Sequence, residues 1–336
     1  MTRRVAPRRA TIATVAERAG VSTATVSRVL NGGVTVSEAV HERVLAAVEA
    51  LNYRPSDLTR AVFAGRTNSI GLLLADLHNP YYVDLVEGVS RVANPSGTLP
   101  YLALSNRDPE TERKMLSLMD SHRVRGLITV ARKSDDLVMS MAEAGTECVL
   151  MARDTEPDHP RIHVVRLDDR AAGSMAWEHL AETGRSRILV VSQDTPAGRD
   201  RFRGLADAAK RDGVTLPVDA PFMLDNLAAP SEKLRELIAS EFKNGTLDAV
   251  FAATGISTLR TFEAINSIGL RIPDDIAFLA FEDFAWAEHM TPSLSTIVQP
   301  AVKMGMAAAS IILDEPGSGQ RLRFEPKLVA RSSTAV

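Results

Sequence analysis

From residue 69 onward the chain alternates short apolar runs with amphipathic stretches, and this alternation limits the fold more than any other feature. The runs at 70–74, 101–105, 127–130, 148–151 and 163–167 are nearly continuous in apolar residues, as are those at 187–191, 221–224, 249–252 and 276–281. A strand that is apolar on both faces must be covered on both faces, which is the pattern of a parallel sheet flanked by helices. Amphipathic stretches at 82–92, 109–122, 171–183, 201–211, 231–243, 257–268 and 302–313 supply those helices. About nine strand–helix units exceed one compact sheet, so the pattern predicts two doubly wound lobes divided near residues 160–170. In such folds ligands bind beyond the carboxyl ends of the strands, which here means a cleft between the lobes.

Ahead of the α/β body lies a segment with a different period. Thr11 is a candidate N-cap for a short helix with Ile12, Val15, Ala16 and Ala19 on one face. Gly20 breaks it, Val21 fills the angle, and Ser22 caps a second helix, Thr23 to Leu30, before Asn31-Gly32-Gly33. A third helix opens at Ser37 and ends near Asn52-Tyr53. This is a small all-α helix-turn-helix, a geometry that places the start of its second helix in the major groove of DNA.

Charge divides the same way. Of 39 basic and 42 acidic residues, residues 1–66 hold 10 basic against 5 acidic, leaving 29 and 37 on the remainder. A basic head on an acidic body suits a protein whose head alone meets phosphate. The expected organisation is a basic arm at 1–10, a helix-turn-helix domain at 11–55, a hinge segment at 56–67 and a two-lobed body at 68–336. No apolar run approaches the roughly 18 residues of a membrane helix, and no apolar stretch follows Arg3, Arg4, Arg8 and Arg9 as in a signal peptide. The expected compartment is the cytoplasm, with no membrane partner. The single cysteine, Cys148, excludes an intramolecular disulfide framework and a cysteine-built zinc site.

Residues 15–31, VAERAGVSTATVSRVLN, and 51–55, LNYRP, resemble the head of the lactose-repressor (LacI/GalR) family of transcriptional regulators almost residue for residue. The body keeps the family pattern at Asn79-Pro80-Tyr81-Tyr82, at Arg201-Phe202-Arg203-Gly204, at 269–277 and at 291–300. The resemblance implies a DNA-binding regulator with a body like a periplasmic sugar-binding protein, working as a homodimer on a near-palindromic operator. It implies that Thr23, Ala24 and Arg28 read bases, with Arg28 suited to a bidentate guanine contact. Ser22, Thr25, Ser27 and Asn31 would lie near the backbone, and Val62 would be the hinge's apolar wedge in the minor groove. The family's tetramer-forming heptads do not follow Arg331.

The same resemblance places Tyr81, Tyr82, Arg153, Arg201, Thr254, Glu282 and Trp286 as candidate effector residues. Thr254-Gly255 and Ala152 stand where the family often carries amide and carboxylate groups. With arginines retained, at Arg153 and Arg201 and with Arg107 and Arg199 in reserve, the site leans towards a sugar acid or sugar phosphate, ahead of a neutral sugar or a purine. Each candidate also has a plain structural role open to it: core aromatics, surface charge, interface packing. An enzyme is not expected, since no Walker loop, Gly-x-Ser-x-Gly elbow or metal-ligand cluster occurs, and Asp168-Asp169 and Glu282-Asp283 suit cap or surface roles. Nothing points to a cofactor. A solute-binding receptor of the same body fold would have no use for residues 11–54.

Overall fold

The computed structural model describes residues 10–30, 36–53, 66–130, 133–153, 158–216, 220–224 and 230–335. Two compact units emerge, Met1–Asn68 and Ser69–Val336. In the first, α1 (Ile12–Ala19), α2 (Thr23–Leu30) and α3 (Glu38–Ala50) pack together. Thr11 and Thr14 exchange hydrogen bonds in a capping box that satisfies the first N–H groups of α1. Gly20 ends that helix in the left-handed conformation, φ 64°, which a side chain would make costly. Val15, Ala16, Ala19, Val26, Val29, Val44, Ala47 and Tyr53 form one buried cluster, so the apolar stripe of each helix faces the other two.

The second unit contains two six-stranded sheets. In lobe 1, β1 (Ser69–Leu74), β2 (Leu99–Leu104), β3 (Gly126–Thr129), β4 (Glu147–Met151), β5 (Ile162–Leu167) and β11 (Arg321–Phe324) line up in the order β11-β5-β4-β3-β1-β2, all parallel. Lobe 2 has β6 (Ile188–Ser192), β7 (Phe222–Met223), β8 (Ala249–Ala252), β9 (Ala277–Phe281), β10 (Ser295–Val298) and β12 (Lys327–Val329). Its order is β12-β10-β9-β8-β6-β7, with only the β10–β12 pair antiparallel. Helices α4 (Pro80–Ala93), α5 (Pro109–Ser121) and α6 (Asp135–Glu143) belong to lobe 1, and α7 (Asp169–Glu182), α8 (Pro196–Arg211), α9 (Glu232–Lys243) and α10 (Gly255–Ser267) to lobe 2.

A single division near 160–170 does not describe this arrangement. The chain leaves lobe 1 after β5, but α11 (Ala301–Asp314) returns, packing Ala301, Met304, Ala308 and Ile312 into the lobe 1 core before β11 completes that sheet. β12 then goes back to lobe 2, so the lobes are joined by three crossings. Strands β10, β11 and β12 and helix α6 were not expected from the sequence. β10 is Ser-Thr-Ile-Val; the buried Ser295 hydroxyl donates to the Arg331 carbonyl and bonds the Thr334 hydroxyl, its N–H donates to the Ser333 hydroxyl, all 36–39 residues away, and the Thr296 hydroxyl donates to Asp283. α8 begins at Pro196 rather than Arg201, started by the Thr195 cap.

Each lobe is clamped by one close helix pair. A Cβ on Gly88 of α4 would lie 2.1 Å from the Val302 carbonyl oxygen, and one on Gly305 of α11 2.3 Å from that of Leu85. In lobe 2 the pair is α7 and α8, where a Cβ on Gly173 would lie 1.9 Å from the Arg201 carbonyl oxygen and one on Gly204 2.1 Å from that of Arg170.

Candidate ligand cleft and DNA-reading helix

Residues at the carboxyl ends of most strands of both lobes line a common cleft. Ala75, Ser105, Val130 and Ala152 come after β1 to β4, and Gln193, Thr254, Glu282 and Gln299 come at or just past the ends of β6, β8, β9 and β10. The cavity between them is about 280 Å³, enough for a ligand of monosaccharide size. Tyr81 and Tyr82 enter from the first turn of α4, which Asn79 caps by accepting from Tyr81 N–H at 3.1 Å. Their rings sit 5.3 Å apart at 58°.

Arg201 is buried on the lobe 2 side and already engaged. Its Nε and Nη2 lie 2.8 Å from Asp169 Oδ1, its Nη1 donates to the Ala253 carbonyl at 2.7 Å, and its guanidinium lies 3.6 Å above the Phe281 ring. Arg107, also in the cleft lining, donates to Asp76 at 2.8 Å. Arg199 is paired with Asp194. Glu112 accepts from Lys133 N–H at 3.0 Å and from the Ser134 hydroxyl at 2.8 Å, fixing the start of that loop to α5.

Glu282 takes φ 71° and is buried. Burial pushes its carboxyl up to about 7, because the loss of water outweighs the downward pull of Arg201 and of the Gln299 amide that donates to it. The Tyr81 phenol is raised for the same reason, loss of water by burial. The Thr254 hydroxyl accepts from Ser257 N–H at 3.2 Å as the cap of α10.

Of the seven effector candidates, the structure brings Tyr81, Tyr82, Arg201, Thr254 and Glu282 to one cleft. Arg153 is not among its lining residues. It makes a bidentate pair with Asp135 at 2.6 and 2.8 Å, at the first residue of α6, the helix the sequence reading did not see. Trp286 also lies outside the lining, stacked on Phe284 at 4.6 Å beside a neighbouring apolar hollow that includes Leu259. Sequence reasoning missed Asn79, Gln193 and Gln299 as lining residues. Their position beside strand ends and a helix cap was the available signal.

On α2, Ser22, Thr23, Ala24 and Arg28 are exposed and Thr25 and Ser27 half-buried, while Val26 and Val29 are in the core. Ser22 Oγ caps the helix by accepting from Thr25 N–H at 3.1 Å. The helix thus buries its apolar side and presents a short row of hydroxyls with one guanidinium, groups that suit phosphate and base-edge contacts. Asn31 and Val62 lie outside the described residues.

Asp168 caps α7 and pairs with Arg323, and Asp283 pairs with Arg331. Among the described residues no group of three or more His, Cys, Asp or Glu side chains could hold a metal. Nor is any helix among them long and apolar enough to cross a membrane.

Two family models match the chain. "Bacterial regulatory proteins, lacI family" matches residues 11–56, and "Periplasmic binding protein-like domain" matches residues 177–334. The HTH-type transcriptional repressor PurR of Klebsiella pneumoniae is 31% identical over 97% of this chain and 97% of its own length. The ribose operon repressor of Escherichia coli is 30% identical over 96% of this chain and 99% of its own. A solved transcriptional regulator CelR–cellobiose complex is 28% identical and superposes with a TM-score of 0.69 over 97% of this chain and all of that one.

Proposed function

The chain belongs to the lacI family of bacterial regulatory proteins, and from that premise we propose a transcriptional repressor whose grip on operator DNA is set by a small neutral polyhydroxylated effector held between its lobes. As a family member it is a DNA-binding regulator and not an enzyme. It acts as a homodimer in the cytoplasm, where its operator is, and a two-fold dimer calls for a near-palindromic site. Ser22, Thr23, Ala24, Thr25, Ser27 and Arg28 make the contacts of α2, joined by Asn31 and, from the hinge, Val62. Effector binding changes how the lobes close, and that change reaches the hinge and the paired heads.

The observation that carries the effector class is the state of the arginines. Arg107, Arg153, Arg199 and Arg201 are each matched to an aspartate, so they do not supply the surplus positive charge that a carboxylate or phosphate ligand needs. The cleft offers instead two tyrosines, three amides and a carboxyl held near 7, a set suited to hydroxyl groups that both donate and accept. Lys133, which lines the cleft, carries a second reading, a sugar acid or sugar phosphate.

Thermal unfolding of the full-length protein against D-ribose, D-glucose, cellobiose, D-gluconate, D-ribose 5-phosphate and hypoxanthine separates these. A ligand at a hundredfold excess over its Kd stabilises by about 2.7 kcal/mol. A shift with a neutral sugar is expected. A shift confined to the two anions selects the second reading, and one confined to hypoxanthine excludes both.

A further inference from the structure

The two glutamines of the cleft occupy like positions and are treated differently. Each follows a strand of lobe 2, Gln299 after β10 and Gln193 after β6. The Gln299 amide donates to Glu282. The Gln193 amide nitrogen is buried and has no hydrogen-bond partner, although Gln193 is only 9% exposed. Its backbone is fixed: the Gln193 carbonyl accepts from Thr195 N–H at 2.8 Å and from the Ser192 hydroxyl at 3.2 Å, immediately before the cap of α8. A donor held on a rigid support without an acceptor costs free energy, and folded proteins keep few of them.

Across the cleft the Tyr81 hydroxyl is in the same condition, buried and without a partner. The two residues come from opposite lobes and both belong to the lining of one cavity. Among the described residues the other buried unpartnered side-chain atoms, Arg125 Nε and Thr261 Oγ1, belong to residues outside its lining. Both groups in the cleft are neutral. The Gln193 amide nitrogen donates and a phenol donates or accepts, so their shared complement is a ligand oxygen that accepts, as a hydroxyl does, and neither group supplies the counter-charge an anion would need.

We propose that Gln193 is a specificity-determining residue of the effector site, reading together with Tyr81 the adjacent hydroxyls of a neutral polyol that spans the two lobes. The inference rests on the effector reading above. The two missing hydrogen bonds are completed together by a ligand that touches both lobes, which ties ligand contact to the spacing of the lobes.

Gln193→Leu and Tyr81→Phe each delete an unpartnered polar group and keep most of the side-chain volume. Thr261→Val does the same outside the cleft and serves as the control. Thermal unfolding of the full-length variants is measured alone and with D-ribose or cellobiose, followed by calorimetric titration with the sugar that shifts the wild type. Without sugar all three variants melt at or above the wild type, by up to about 2–4 °C. With sugar, Gln193→Leu and Tyr81→Phe lose the shift and bind at least roughly tenfold more weakly, the scale of one lost hydrogen bond, while Thr261→Val keeps it.

A Gln193→Leu protein that melts below the wild type, or that keeps the sugar-induced shift, overturns the proposal and leaves the effector reading standing. Loss of the shift in Thr261→Val as well traces the effect to packing and overturns it too. A wild type that responds to neither sugar removes the effector reading, and the role of Gln193 with it.

Discussion

Arg201 is both a lining residue of the cleft and a structural tie, and the two roles predict different things. Its partner Asp169 is 9% exposed, so Arg201→Met leaves a buried carboxylate without its counter-charge. A loss of about 3–5 kcal/mol is expected, read as a lower urea midpoint, and Asp169→Asn on the same background should restore part of it. Glu282 gives the pH dependence. Its folded-state carboxyl stands raised, at about 7 against an ordinary 4.5, so its contribution is fully present below 4.5 and is lost as pH rises through 7. The stability of Glu282→Gln relative to the wild type should therefore grow from pH 4.5 to 7.5, by up to about 3 kcal/mol, and level off above; a flat difference would refute the buried-carboxyl account. For the DNA face, Arg28→Ala is expected to cost about 1–3 kcal/mol of discrimination at one base position, measured by gel shift on single-base operator variants. At this scale the sequence exposed Tyr81, Tyr82, Arg201 and Glu282 as cleft residues, because each sits in a recognisable motif or beside a recognisable strand. Arg153 misled because its partner, Asp135, lies on a helix whose polar start hid it. Gln193 went unseen because an amide after a strand means nothing until its neighbours fail to bond it.

Helix pairing is set by glycines that leave backbone against backbone. Gly173→Ala would drive a methyl group to 1.9 Å from the Arg201 carbonyl, which no rotamer can relieve. The α7–α8 pair must part, at a cost of about 1–3 kcal/mol or more, and Arg201 must move with it. Denaturant unfolding checks the first consequence and sugar titration the second. At the turn between α1 and α2, Gly20→Ala should cost about 1–2 kcal/mol for its left-handed φ, although a methyl group there meets nothing within 4 Å. Apart from α6, elements up to residue 281 were legible because their strands are largely apolar and most of their helices carry caps. β10 was not, since its polar start, Ser295-Thr296, has no apolar signal and is held by partners distant in sequence, Ser333 and Thr334 for Ser295 and Asp283 for Thr296. The edge strand β11, Arg-Leu-Arg-Phe, has too few apolar residues to announce itself.

For the whole molecule, the basic head and the cleft of matched charges predict opposite responses to salt. Operator affinity should fall steeply with ionic strength, because the head's arginine contacts to phosphate release counterions. Sugar affinity should stay nearly flat over the range of about 50 to 200 mM salt in which phosphate contacts weaken steeply. Parallel titrations of both test this, and a steep salt dependence for the effector would favour an anion. The division into a helical head and a two-lobed body could be read from periodicity and charge. The three crossings between lobes could not, since local pattern says which segments are strands and not which sheet each joins.

Those crossings decide when the protein can first become itself. A chain emerging in order from the ribosome finishes β1 to β5 early, yet the lobe 1 core lacks Met304, Ala308 and Ile312 until residues 301–314 arrive, and its sheet lacks β11 until 324. Lobe 2 waits as long, for β12 at 327–329 and for Ser333, whose hydroxyl donates to the Phe278 carbonyl. Neither half can be completed before residues 301–333 have been made. Both close only with residues 301–333, through contacts of long sequence separation that form slowly. A nascent chain cut short at residue 300 would carry no finished sensor at all, only two open cores for a chaperone or protease to find.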